Sequence, residues 1–406
     1  MSRSLRFCMV TTFYPPYNFG GDGVFVQQLT QELARRGHQV EVIHCTDSYR
    51  LLAGREPEPS DPDHPDVTVH RLRSPFGFLS PLATHQTGLP LFKSARIQEI
   101  LARGFDVIHY HNPSLVGGPG VLVDGTAVKL YTLHEYWLVC PTHMLFKYGR
   151  APCTRPHCFA CTLAHGRPPQ LWRYSAMIRK AVEHVDVFIA PSQFVRDKHR
   201  EMGLDVPIVV LPFFTARKHA TTLDPGGPPE ATPYFLFVGR LERLKGLQTL
   251  IPVFRRYERA RLLVAGTGRY ETTLRRMAAG APNIVFLGHQ SGERLCQLYA
   301  RAVALIVPSL WYEVFGLVIL EAFTQRTPAI VRNIGGMPET IEESGGGFVY
   351  ETETELVTAM DRLLTEPILR TALGVRGYQA IRQRWSADAH IERYLALVAE
   401  LAARRG

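Results

Sequence analysis

The sequence predicts two α/β domains, each a parallel sheet wound on both faces by helices. Three observations carry this. The chain has 406 residues, more than one hydrophobic core ordinarily organises. Its strand-like runs are continuously apolar instead of alternating, the mark of strands covered on both faces and joined by helical crossovers. These runs fall into two series, parted by one Pro-, Gly- and Thr-rich stretch at 213–235, FFTARKHATTLDPGGPPEATPYF. The expected boundaries are 1–212 for the first domain, with a Cys-rich insertion at 140–161, and 213–233 for an exposed linker. The second domain follows over 234–384. A C-terminal helix over 385–406 either closes the second domain or crosses back to brace the first.

The first series of strands reads LRFCMVTT, QVEVIHC, FDVIHYH, VKLYTLH, VDVFIAPS and PIVVLPF; the second reads YFLFVGR, ARLLVAG, NIVFLG, ALIVPS and PAIVRN. Helices fit between them. GVFVQQLTQELARRGH repeats its apolar residues at Val26, Leu29 and Leu33 and stops at Gly37, a helix-ending residue. SADAHIERYLALVAELAARR after Trp385 has the same character. The two halves share a βα rhythm and no short-period repeat.

A 46% hydrophobic and 20% charged composition is that of an ordinary globular chain. The net charge of +9 invites anionic partners such as nucleotides, phosphorylated substrates or anionic lipid, or else serves only solubility. The basic residues are scattered, with no run that would form a nucleic-acid-binding tail. No apolar run approaches membrane-spanning length, and the apolar part of MSRSLRFCMVTTFYPP is too short for a signal-peptide core. The expectation is a cytoplasmic protein with at most peripheral contact to a membrane surface. Cys8, Cys45 and Cys296 read as buried thiols.

Chemistry concentrates in the second series. In EVFGLVILE, Glu313 and Glu321 flank a short apolar run containing Gly316. With a helix starting near Phe315, the amides of Phe315, Gly316 and Leu317 form an anion site at the positive end of the helix dipole. Acids beside such a site make sense when they bind hydroxyls flanking a diphosphate, as a sugar nucleotide offers. An ordinary capping acid and a solvated helix acid are the alternative. FVGRLERLKG places Gly239, Arg240 and Lys245 just beyond a strand, where ligands of α/β sheets collect. Either Arg240, able to grip two oxygens, and Lys245, a point charge, neutralise a leaving diphosphate, in which case no divalent metal is needed, or they are one of the Arg–Lys pairs that decorate many helix starts.

GRLERLKG followed by EVFGLVILE resembles the signature of retaining glycosyltransferases of the GT-B fold, family-4 type, the glycosyl transferases group 1. The resemblance extends to YPPYNFGGDGVFVQQLTQELARRGHQVEVI, LHEYW, APSQFVRD and IGGMPETI, nearly the whole chain. It implies two Rossmann-like domains facing across a cleft and transfer of a sugar, with retention, from a nucleoside-diphosphate donor to an acceptor hydroxyl. By the same resemblance Glu313 serves the donor sugar, Glu321 the ribose, and Arg240 with Lys245 the diphosphate. Gly20 and Gly21 approach the donor phosphate, as residues without a side chain allow. His134, after the strand VKLYTL, lies near the donor sugar or the acceptor, or is a structural histidine. Where relatives carry Asp, this chain has Glu135. The acceptor is a glycan, a lipid-linked sugar or a small molecule, chosen by loops such as SPFGFLSPLATHQTGLPLF, as in glycan, polysaccharide or glycolipid synthesis.

VAGTGRYE offers Gly266, and VFLGHQ offers His289, for the nucleotide pocket. Glu271 stands where a dinucleotide fingerprint needs its third glycine, which disfavours a dehydrogenase. IGGMPETI, with Gly335 and Gly336, also borders the nucleotide pocket or is simply a strand-to-helix turn. Cys140, Cys153, Cys158 and Cys161, spaced C-x12-C-x4-C-x2-C, suit a structural zinc in a cytosolic protein; an iron–sulfur cluster, disulfides and unligated thiols stay open. Catalysis itself calls for no cofactor. Two other functions remain: a nucleotide-sugar epimerase of GT-B-like fold, and a basic nucleic-acid-binding protein with a cysteine metal module. The acid and Arg–Lys pairs disfavour the latter.

Overall fold

The computed structural model describes residues 4–59, 62–215 and 232–405, so most of the stretch expected as a linker, 213–233, lies outside the described residues. The chain forms two compact units. The first takes the chain up to Met144, then Pro156–Pro212 and everything from Ala387; the second takes Leu145–Arg155 and Phe213–Ser386.

Strands β1 (Arg6–Thr11), β2 (Gln39–Cys45), β3 (Val67–Leu72), β4 (Val107–Asn112) and β5 (Val128–Thr132) belong to the first unit. A short antiparallel hairpin of the second unit follows, β6 (Phe146–Lys147) with β7 (Ala151–Pro152). β8 (Val187–Ala190) and β9 (Ile208–Val210) complete the first sheet, whose order is β3-β2-β1-β4-β5-β8-β9 with every pairing parallel. Phe7, Cys8, Met9 and Val10 of β1 have no exposed surface, as expected of a run without alternation. The helix Gly21–Arg35 buries Phe25, Val26, Leu29 and Leu33 on one stripe, and Gly37 turns the chain at φ +82. The helix Ala387–Arg405 is part of this unit. Its Tyr394 hydroxyl bonds His109 Nδ1 at 3.0 Å, Arg405 holds both carboxylate oxygens of Asp186 at 3.1 and 2.7 Å, and Asp388 pairs with Arg36.

The second unit contains β10 (Tyr234–Val238), β11 (Arg261–Ala265), β12 (Ile284–Gly288), β13 (Ala304–Val307), β14 (Ala329–Arg332) and β15 (Gly347–Tyr350). Their order is β12-β11-β10-β13-β14-β15, again all parallel. Phe235, Phe254 and Tyr257 meet edge to face at the centre of its core, with centroids 6.0 to 6.4 Å apart. In each sheet the strand order reverses beside the first strand, between β1 and β4 and between β10 and β13. Ligands of doubly wound sheets bind at the carboxyl ends of such a switch point.

The two parallel sheets expected from the apolar runs are present. Three elements were not expected: β3, β15 and the β6–β7 hairpin. β3 and β15 are edge strands and carry exposed or half-buried positions, so they lack the continuous apolar signature.

In the helix Pro367–Arg384, a Cβ added at Gly374 would lie 2.0 Å from the Arg326 carbonyl oxygen. Gly→Ala inside a helix ordinarily gains about 1 kcal/mol. Here Gly374→Ala is expected to lose about 1–3 kcal/mol instead, because backbone must move. A urea midpoint that stays level or rises would show that this helix is not held against the Arg326 turn.

Candidate active site

The carboxyl ends of β10 and β13 are brought together by backbone contact. After β10 the chain passes through the turn Arg243–Lys245 to Gly246, whose φ of +77 few side chains adopt. A Cβ there would fall 1.9 Å from the carbonyl oxygen of Pro308, just beyond β13, and Leu310 N donates to Leu244 O at 2.8 Å. No side chain fits between these loops. As a result Lys245 Nζ sits 2.7 Å from Glu313 Oε1, and the Ser309 hydroxyl donates to the same oxygen at 2.6 Å. The Lys245 ammonium also lies 5.5 Å from the centre of the Trp311 ring.

Glu313 is 7% exposed. Burial pushes its carboxyl up, but the Lys245 charge and the hydrogen bonds from Lys245 and Ser309, with a contribution from Trp311, outweigh this and hold it below the usual carboxylate range. It is therefore an anion at neutral pH. Its backbone is seated on the glycine pair of IGGMPETI. Gly336 N donates to Glu313 O at 2.7 Å, and a Cβ on Gly335 (φ +70) would come within 2.4 and 2.5 Å of Glu313 O and N.

The other expected residues of this unit sit on its strand ends, loops and helices. Arg240 is half exposed and pairs with Glu242 at 3.0 Å. Glu321 accepts a hydrogen bond from the Tyr299 hydroxyl at 2.9 Å. The helix begins at Leu317, two residues later than expected, because Gly316 takes a left-handed φ of 92 that ends the loop. Phe315 precedes the helix, with its side chain buried edge-on to Phe213 and Trp385. Gly266 closes β11 against β10, where a Cβ would lie 1.9 Å from Gly239 O. His289 is exposed beyond β12, two strands from β10, and is not part of the Lys245–Glu313 cluster.

In the first unit Gly20 precedes the helix that begins at Gly21. Gly20 is extended, and a Cβ there would meet only Asp22, at 3.9 Å, so no protein contact demands glycine at that position. His134, just past β5, is 7% exposed, packs against Phe25 and shares a hydrogen bond of 2.9 Å with His111. His109 continues the row, its ring centre 3.9 Å from that of His111 and tilted by 35°, and it is bonded to Thr132 at 2.8 Å. Burial lowers all of these imidazoles, His134 to about 3 and His390 to about 4. They are neutral in the folded protein. Glu135 is held by His143 at 2.7 Å.

Sequence reasoning missed Ser309, Gly246, Gly335 with Gly336 as the seat of Glu313, and His111. Only the last two left a trace, as a Gly-Gly pair after a strand and as a second histidine in FDVIHYH. None of the four clustered cysteines is in a disulfide, and among the described residues no three His, Cys, Asp or Glu side chains are grouped to hold a metal. The zinc expected on Cys140, Cys153, Cys158 and Cys161 gains no support from this arrangement.

Two family models match consecutive parts of the chain. Residues 20–213 match the glycosyl transferase 4-like domain, and residues 220–380 match glycosyl transferases group 1. The chain belongs to the group 1 glycosyltransferases. This glycosyltransferase is 28% identical to a glycogen synthase of Mycobacterium tuberculosis over 99% of its own length and 96% of that protein. Its fold is similar to that of the sucrose-phosphate synthase from Thermosynechococcus elongatus, with a TM-score of 0.74 and 22% identity, covering 99% and 100% of the two chains. It is also similar to HepE from Anabaena in complex with UDP and glucose, with a TM-score of 0.65 and 16% identity over 98% and 100%. The fold is GT-B.

The histidine row sets a pH dependence. A histidine whose folded value lies below its unfolded value of about 6.5 contributes stability that is complete above that pH and is lost as the pH falls. The glycosyltransferase is therefore expected to lose stability from about pH 6.5 downward, by up to about 1.4 kcal/mol per pH unit for each such histidine. His111→Gln should flatten that slope. Urea unfolding at pH 7 and pH 5 checks it, and equal stability at both would contradict the neutral row.

Proposed function

We propose that this glycosyltransferase transfers a hexosyl unit from a nucleoside-diphosphate donor to an acceptor hydroxyl, with retention at the anomeric carbon and without a divalent metal. The observation that carries the reading is the Lys245–Glu313–Ser309 cluster at the carboxyl ends of β10 and β13, where the strand order reverses. The UDP and glucose bound by the structurally similar Anabaena protein support a sugar nucleotide as donor.

Each residue then has a task. Lys245 and Arg240 neutralise the diphosphate as it departs, Arg240 by exchanging Glu242 for phosphate oxygens. The amides of Gly316 and Leu317, with Phe315 just before them, add the positive end of the helix Leu317–Thr324. Gly20 and Gly21 let the first unit's helix start approach phosphate closely. Glu313, ionised and fixed, accepts hydrogen bonds from donor-sugar hydroxyls. Glu321 accepts from the ribose, and Gly239, Gly266 and His289 shape the nucleotide's surroundings. His134 offers a neutral imidazole to the donor sugar or acceptor, not a charge. The bond from the anomeric carbon to the diphosphate oxygen breaks while the bond to the acceptor oxygen forms on the same face. The acceptor's proton passes to the leaving phosphoryl oxygen, so no enzymatic nucleophile is needed. The acceptor is a glycan, a lipid-linked sugar or a small molecule.

A thermal-shift panel of UDP, GDP, ADP and their sugars should stabilise the protein with one nucleotide series, and Lys245→Ala should lose that shift. With the acceptor in hand, Lys245→Ala is expected to slow transfer by about a hundredfold or more. Glu313→Gln should lower kcat while nucleotide affinity holds, and chelator should leave the rate unchanged. Product of inverted configuration, or full transfer by Glu313→Ala, would refute the assignment.

A further inference from the structure

Among the described residues no helix is long and apolar enough to cross a membrane. The first unit nonetheless keeps a large apolar surface in water. Two of its stretches, 67–98 and 156–182, contain no Asp or Glu. They pack on one another: Trp172 Nε1 donates to His85 O at 2.9 Å, and a Cβ on Gly88 would meet Met177 Sδ at 2.7 Å and the Trp172 ring at 3.1 Å. From the first stretch Phe76, Phe78, Leu79 and Phe92 are 46–59% exposed, and from the second Leu171 and Tyr174 are 67% and 63% exposed. The Phe76 and Phe92 rings lie 4.5 Å apart, packed on each other and not into a core. Large aromatic and aliphatic groups left in water over adjoining segments mark a surface with a partner.

The charge around these groups narrows the partner. Arg71, Arg73, Arg167, Arg179 and Lys180 are all exposed. None of the five has a side-chain hydrogen bond or ion pair among the described residues. A cavity of about 540 Å³ takes Asp47, Arg50, Arg73, Ser74 and Phe78 among its walls; Arg50 is matched there by Asp47 and Glu56, which leaves Arg73 beside the Phe78 ring as the exposed cation of the lining. A second copy of the chain would set like charges against each other. A nucleic acid would satisfy the cations but leave Leu79 and Leu171 wet. A bilayer with anionic headgroups satisfies both kinds of group.

We propose that the first unit docks on an anionic phospholipid bilayer through this face. Phe76, Phe78, Leu79, Phe92 and Leu171 enter the boundary between headgroups and acyl chains, and the five cations meet lipid phosphates. The docking stands apart from the sugar-transfer reading and can fail without it.

Flotation of the full-length protein with phosphatidylcholine vesicles, with and without phosphatidylglycerol, tests it. Anionic vesicles should capture the protein, neutral ones at least about fivefold less, and Arg73→Gln should lower capture about fivefold. The double variant Phe78→Ser, Phe92→Ser should lose capture at salt concentrations that wild type withstands. Both substitutions are on exposed side chains, so the urea midpoint and the nucleotide thermal shift should hold. Capture by neither vesicle, or a double variant that floats like wild type, would overturn the proposal. So would tighter binding to a single-stranded oligonucleotide than to anionic vesicles, which would give the face to nucleic acid. A nucleotide shift without vesicle capture removes the docking alone; vesicle capture without a nucleotide shift removes the donor reading alone.

Discussion

Glu313 keeps its charge where water hardly reaches, and the second unit's loops are shaped by the need to compensate it. Removing a carboxylate from water carries a penalty of several kcal/mol unless a counter-charge and hydrogen bonds replace the lost solvent. Lys245 and Ser309 supply them, but only if the ends of β10 and β13 approach until their backbones touch. That approach excludes any side chain at Gly246, and the support beneath Glu313 excludes one at Gly335. The ion pair, the glycines and the strand order are therefore one constraint. A phosphate bound there would compete with Glu313 for Lys245.

The first unit handles the polar groups at its switch point by another route. His109 and His111 lie on β4, His134 follows β5, and His390 and Tyr394 come from the last helix. Burial strips these imidazoles of charge, and the groups bond to one another, to Thr132 and to the Pro212 carbonyl. Neutral imidazoles accept or donate without the solvation penalty of a cation. One unit thus presents compensated charge, the other uncharged polarity.

Central strands were legible in the sequence because burial on both faces writes an unbroken apolar run, as in Arg6–Thr11. Edge strands were not. Val67–Leu72 mixes buried Val67 and Leu72 with exposed Thr68 and Arg71, and Gly347–Tyr350 is short and opens on a glycine. In the site, Lys245 and Glu313 stood out because charges beyond strand ends are unusual company for apolar runs. Ser309 did not, since a serine after a strand has many ordinary uses, and the tie between Gly335 and Glu313 is a contact across 22 residues that no local pattern records. The start of the helix was misplaced by two residues because the left-handed Gly316 ends a loop as readily as it begins a helix.

The helix Ala387–Arg405 supplies Tyr394 to the first unit's histidine row and Arg405 to Asp186, yet in chain order it follows the whole of the second unit's main segment, Phe213–Ser386. During synthesis the first unit emerges with His109 lacking Tyr394, one of its two hydroxyl partners, and with the surface that this helix covers still open. It waits while Phe213–Ser386 is added, roughly ten to thirty seconds at ordinary elongation rates. Domain-by-domain folding from the N-terminus is thus closed to this protein. The second unit can be complete while the first is still unfinished, and the older half acquires its final stability only after the younger one has been made.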